Sequence, residues 1–75
     1  MFKPGHVYEA KKPKVVGFYY DDRQILHIGL NAIQYDSPTV APGKKYPSVS
    51  KEKFAKWAGR DITDEMPKGE WRMKK

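Results

Sequence analysis

From Lys14 to Asp36 runs the longest stretch of β-branched and aromatic residues in the chain, Lys14-Val-Val-Gly-Phe-Tyr-Tyr-Asp-Asp-Arg-Gln-Ile-Leu-His-Ile-Gly-Leu-Asn-Ala-Ile-Gln-Tyr-Asp36. One polar cluster interrupts it, at residues 21–24. This is the pattern of consecutive antiparallel strands joined by a turn. Alternation along residues 15–20 places Val16, Phe18 and Tyr20 on one face, and Gly17 marks a bulge or strong curvature. Residues 25–28 form the next strand, with Leu26 and Ile28 opposite Ile25 and His27. Gly29-Leu30-Asn31 supplies a tight turn, and residues 32–36 return with Ile33 and Tyr35 on one side. Upstream, residues 6–10 alternate enough for a first strand, which Lys11-Lys12-Pro13-Lys14 breaks because proline cannot donate to a sheet ladder.

After a Pro- and Gly-rich loop over residues 37–45, a short extended piece (residues 46–49) leads into the best-marked local element, a helix over residues 50–59. Ser50 is a good N-cap. Val49 and Phe54 have the spacing of a hydrophobic staple. Phe54, Trp57 and Ala58 make an i, i+3, i+4 stripe, and Gly59 reads as the stop. A helix this short needs its stripe packed on the sheet. Residues 61–66 allow one helical turn before Pro67, and Lys68-Gly69 turns again. Trp71 is an isolated aromatic among charges, expected to dock on the rest of the domain.

The resulting fold class is α+β and mostly β: a strongly bent four- to five-stranded antiparallel sheet, with one short C-terminal helix over about 50–59. Residues 1–75 make a single domain, with the core over about 5–59 and an extension over 60–75. The expected core is Val7, Val16, Phe18, Leu26, Ile28, Ile33, Tyr35, Phe54 and Trp57. A chain of this size buries only about 60% of its unfolded surface. Its ten aromatics are therefore the natural way to build a core.

Composition adds few chemical candidates. There is no cysteine, so neither disulfides nor a cysteine zinc site can staple the fold. His6 and His27 each lack a second ligand at a metal-binding spacing. Phosphate loops and nucleophile elbows are absent from the sequence. The expectation is a non-enzyme with no cofactor and no metal. Met1-Phe-Lys-Pro-Gly-His has no apolar h-region, and no run approaches the roughly 18 apolar residues of a membrane span, which predicts a soluble cytoplasmic protein.

The formal charge of +6 is unevenly placed, with basic segments at residues 1–20 and 41–59 flanking an acidic stretch at 21–40. Lys44, Lys45, Lys53 and Lys56 are candidate phosphate contacts. The plain alternative is a solvated, Lys-rich surface. Neighbours in a strand face opposite ways, so Phe18, Tyr19 and Tyr20 cannot all be core, and Tyr19 is the candidate exposed aromatic. With Tyr46 and Trp71 it forms the candidate partner-binding set. Aromatics between Tyr46 and Trp57 are a further candidate groove for a proline-rich peptide.

The order of elements resembles a small SH3-like barrel. Ile33-Gln-Tyr-Asp-Ser37 is similar to the central strand of many small phage and prophage barrels. Tyr46-Pro-Ser-Val-Ser-Lys-Glu-Lys-Phe54, followed by Trp57-Ala58, is similar to their closing segment, in which a helix aromatic plugs the barrel. The resemblance covers residues 14–59 and implies a phage- or prophage-encoded accessory protein of unassigned function. No binding residues carry over from it. The expected function is a small non-catalytic binding module for a protein partner, monomeric or weakly self-associating. The alternative is a non-specific nucleic-acid-binding module using the basic 44–56 region.

Overall fold

A computed structural model describes residues 2–41, 43–67 and 69–74. Its elements run β1 (Val7–Ala10), β2 (Val15–Val16), β3 (Tyr19–Tyr20), β4 (Arg23–Ile28), β5 (Ala32–Asp36), β6 (Ser48–Ser50), α1 (Lys51–Trp57) and β7 (Ala58–Asp61), then a 3-10 turn over Thr63–Glu65. Five strands form one antiparallel sheet in the order β6-β5-β4-β1-β7. A separate two-stranded ribbon pairs β2 with β3. The α+β, mostly β expectation is met by a bent sheet that does not close into a barrel.

The bend follows from connectivity. β6 and β7 are the two outer strands, yet the seven residues of α1 are all that join them. Seven helical residues rise about 10 Å. Four strand spacings in a flat sheet would separate the edges by about 19 Å. The sheet must therefore curl around the helix. Phe54 of α1 fills the concave side, fully buried, with Phe2, Tyr8, Tyr35 and Trp57 at ring-centroid distances of 5.0, 6.0, 6.2 and 5.3 Å. Ile25, Ile33 and Ala58 complete this cluster, with Ile28 and Val49 packed against it. Ser50 caps α1 as expected, its hydroxyl accepting from the Lys53 amide at 3.1 Å.

Four expectations need correction. Leu26 is not core: it is exposed, and Ile25 is fully buried instead. The β4–β5 register slips between Ile25 and His27, leaving Leu26 as an extra residue opposite no partner. A bulge of this kind resets the alternation, so Ile25 and Ile28 both face inward. Val16 and Phe18 are not core either. Residues 15–20 are a tight hairpin rather than one strand, with Val15 opposite Tyr20 and Val16 opposite Tyr19. Gly17 has φ +64° at the first loop position, a conformation such two-residue loops favour, and Phe18 stands at the tip 76% exposed.

The third correction concerns residues 21–24. They do not form a turn cluster: β4 begins at Arg23, paired to Tyr8 of β1. The fourth concerns Gly59, which does not end the helix but lies in β7. There a Cβ would come within 3.2 Å of the Ala10 carbonyl oxygen and the Lys11 Cα, so glycine permits the close approach of β7 to β1. Of the expected Lys68-Gly69 turn, Lys68 lies outside the described residues, and Gly69 takes φ +73°.

The tail folds back onto the ribbon. Arg72 accepts from the Tyr20 amide through its carbonyl at 3.0 Å, the Lys74 amide donates to Phe18 O at 3.0 Å, and Met73 bridges to Tyr19. The β2–β3 ribbon thus gains a third antiparallel segment from the end of the chain.

Candidate functional site

Tyr19, Tyr46 and Trp71 line one cleft of about 370 Å³, although they come from the ribbon, the 37–47 loop and the tail. Pro38 adds a fourth ring to its wall, and Asp36 and Lys44 add one charge of each sign. Volume and lining suit a short peptide or a small ligand. Each wall has a local reason for its position. The loop leaves β5 in a knot of short-range bonds: the Ser37 amide donates to Asp36 Oδ1 at 2.8 Å, and the buried Ser37 hydroxyl meets Thr39 Oγ1 at 2.6 Å. It returns where the Tyr35 amide donates to Pro47 O at 3.1 Å.

Trp71 is set by its neighbour. The Arg72 guanidinium donates to both oxygens of Asp22, Nε to Oδ2 at 3.0 Å and Nη2 to Oδ1 at 2.9 Å. It also reaches Glu9 at 3.4 Å and lies over the Tyr20 ring at 4.5 Å. A forked pair of this kind fixes direction as well as charge. Asp22 is 1% exposed. Burial pushes its carboxyl above the usual carboxylate range, and the Arg72 hydrogen bonds pull it back only in part. Arg72 is itself held above its ordinary value, first by the hydrogen bond to Asp22. From Glu9 the network continues to Arg60 at 3.0 Å and on to Glu65 at 2.6 Å.

The candidate lysines divide. Lys44 lines the aromatic cleft, whereas Lys56 lines a second cleft that shares no residue with the first. Lys45 and Lys53 are exposed and line neither. Lys56 also pairs with Glu52 one helical turn earlier, at 3.3 Å. The groove between Tyr46 and Trp57 does not form. Trp57 packs on Phe54, and the Arg23 guanidinium lies over its ring at 4.1 Å and over the Tyr35 ring at 4.4 Å.

Sequence reasoning missed Asp22, Arg72 and Arg23. No local signal marks the Asp22–Arg72 pair, whose members are 50 residues apart. Among the described residues, no group of His, Cys, Asp and Glu gathers as a metal site would require, and no helix is long and apolar enough to cross a membrane. No protein-family model matches the chain, and neither curated proteins nor solved structures give a match.

Proposed function

We propose that this chain is a small non-catalytic binding module that holds an extended segment of a protein partner in the Tyr19–Tyr46–Trp71 cleft. The observation that carries this reading is the convergence of three partly exposed aromatics, from three separate parts of the chain, on one cleft. Grooves lined by aromatics take polyproline-II segments, whose preformed backbone loses little entropy on docking. Asp36 and Lys44 at the cleft give such a segment a polarity, by favouring opposite charges towards its two ends. A cytoplasmic role as a phage or prophage accessory protein belongs to the same proposal and rests on the barrel resemblance of residues 14–59.

The test is a heteronuclear NMR titration with a proline-rich decapeptide. Backbone and indole shifts should concentrate at Tyr19, Tyr46 and Trp71. Tyr46→Ala, an exposed substitution, should weaken binding about thirtyfold, corresponding to the roughly 2 kcal/mol of an aromatic hot spot. Shifts that are absent at millimolar peptide, or that gather elsewhere, would overturn the assignment.

A further inference from the structure

The second cleft, of about 400 Å³, is lined by Lys11, Lys12, Lys14, Arg23 and Lys56, with Asp21 the one carboxylate beside them. Lys11, Lys12 and Lys14 come from the segment between β1 and β2, and Lys56 from the outer face of α1. They meet because the Lys11 amide donates to the Trp57 carbonyl at 2.9 Å, stitching that segment to the end of the helix. Arg23 sits at the base, its guanidinium between the Tyr35 and Trp57 rings. Among the described residues no carboxylate pairs with Lys11, Lys12, Lys14 or Arg23. The Arg23 Nε is buried with no acceptor.

This combination is unlike a solvated lysine face. A buried N–H without an acceptor costs free energy, and a guanidinium kept by stacking rather than by a carboxylate keeps its charge available. Like charges crowded around one concave space repel one another and focus a positive potential there. An anion entering the cleft relieves that repulsion. A single carboxylate would leave most of this charge unanswered, whereas adjacent phosphates carry enough charge and enough acceptor oxygens. From this placement we infer that the Lys11–Lys12–Lys14–Arg23–Lys56 cleft is a binding site for linked phosphate groups, independent of the aromatic cleft. Linked phosphates occur as a free oligophosphate or as the backbone of a single nucleic-acid strand, and the two sources are separable by experiment.

The probes are inorganic pyrophosphate and hexathymidylate, titrated into the full chain while the Trp57 indole and Arg23 Nε–H NMR signals are followed. Either probe should shift both signals. Pyrophosphate alone would identify a free oligophosphate as the source; the oligonucleotide alone, or both, would identify a strand backbone. With two or three phosphates neutralised, log K for the oligonucleotide should fall with log salt at a slope of about −1.4 to −2.1. Lys12→Ala and Lys14→Ala, both at exposed positions, should each weaken binding several-fold and flatten that slope by about 0.7. Lys45→Ala, outside the cleft, should change neither. The inference fails if neither probe moves Trp57 or Arg23 at millimolar concentration and low salt. It fails equally if Lys45→Ala weakens binding as much as Lys12→Ala, since attraction would then be a diffuse property of the surface.

Discussion

The five-stranded sheet and the β2–β3 ribbon are built on opposite principles. The sheet encloses Phe54 with Tyr8, Ile25, Ile33 and Tyr35, all buried. The ribbon buries almost nothing: Val15, Val16 and Phe18 are all exposed, and each of its strands has two residues. An isolated hairpin of that length is not stable in water. What holds it is the returning tail, which pairs with it through backbone hydrogen bonds and is anchored by Arg72 on buried Asp22 and on Glu9. One half of the molecule stands on removal of apolar surface from water, the other on a polar clamp. The aromatic cleft lies where the two meet, since Tyr46 comes from the loop off the sheet and Tyr19 and Trp71 from the clamped unit.

The largest effect that separates the halves is expected from Phe54→Ala. Truncating a fully buried phenylalanine at the hub of four ring contacts should cost about 3–5 kcal/mol, and in a domain this small that approaches its whole stability. Chemical denaturation should show the midpoint collapse for sheet and ribbon together, because the clamp on the ribbon and tail is anchored on the sheet, at Glu9 of β1 and at Asp22 beside β4. A midpoint equal to that of the parent would refute the packing scheme.

Next in size is Arg72→Ala, which leaves Asp22 buried without its partner. Removing one member of a buried pair costs about 3–5 kcal/mol, and the partial exposure of Arg72, together with proton uptake by Asp22, should hold the loss to about 1–3 kcal/mol. Here the halves should part company. Hydrogen exchange should accelerate at the amides of Tyr20 and Lys74, while those of Ile25 and Tyr35 stay protected. Uniform acceleration would mean that the clamp serves the whole fold.

These two variants also mark what the sequence could reveal. Ser50 as helix cap, β5 at residues 32–36 and the burial of Phe54 were all legible, because capping, alternation and helical spacing are written in neighbouring residues. Leu26 was misplaced because the bulge beside it is decided by pairing with β5. Ala58–Asp61 was invisible as a strand, since Ala-Gly-Arg-Asp has little β propensity and only the pairing with β1 makes it one. At the candidate sites, the aromatics could be named individually but not brought together. The Lys11-Lys12-Pro13-Lys14 run was visible as a breaker, and its meeting with Lys56 and Arg23 was not.

Acid sharpens the comparison, because two aspartates respond with opposite sign. In the sheet half, Asp61 is held down to about 2, first by the Thr63 hydroxyl and then by His6. Its contribution is present above the ordinary value of 3.8 and is lost as pH falls towards 2. Asp22 is raised, so its contribution is complete below 3.8 and fades as pH rises through its folded value. Stability measured from pH 2 to 6 should therefore flatten at its acid end in Asp61→Asn. In Asp22→Asn it should climb more steeply above pH 4, and identical profiles would contradict the assignment. The smallest effect belongs to Lys56→Ala. Loss of an exposed i, i+4 pair with Glu52 should change stability by no more than about 0.5 kcal/mol, so any larger loss would show that Lys56 supports the fold.

The short span of α1 also sorts the pairings by their distance along the chain. β1 with β4, β4 with β5 and β5 with β6 each join residues no more than about 18 apart, and loops of that length close at small entropic cost. β1 with β7 is different, since it joins Tyr8 to Asp61 and Ala10 to Ala58. That single long-range seam exists because α1 carries the chain from one edge of the sheet to the other, and it is what ties the two ends of the five-stranded unit together.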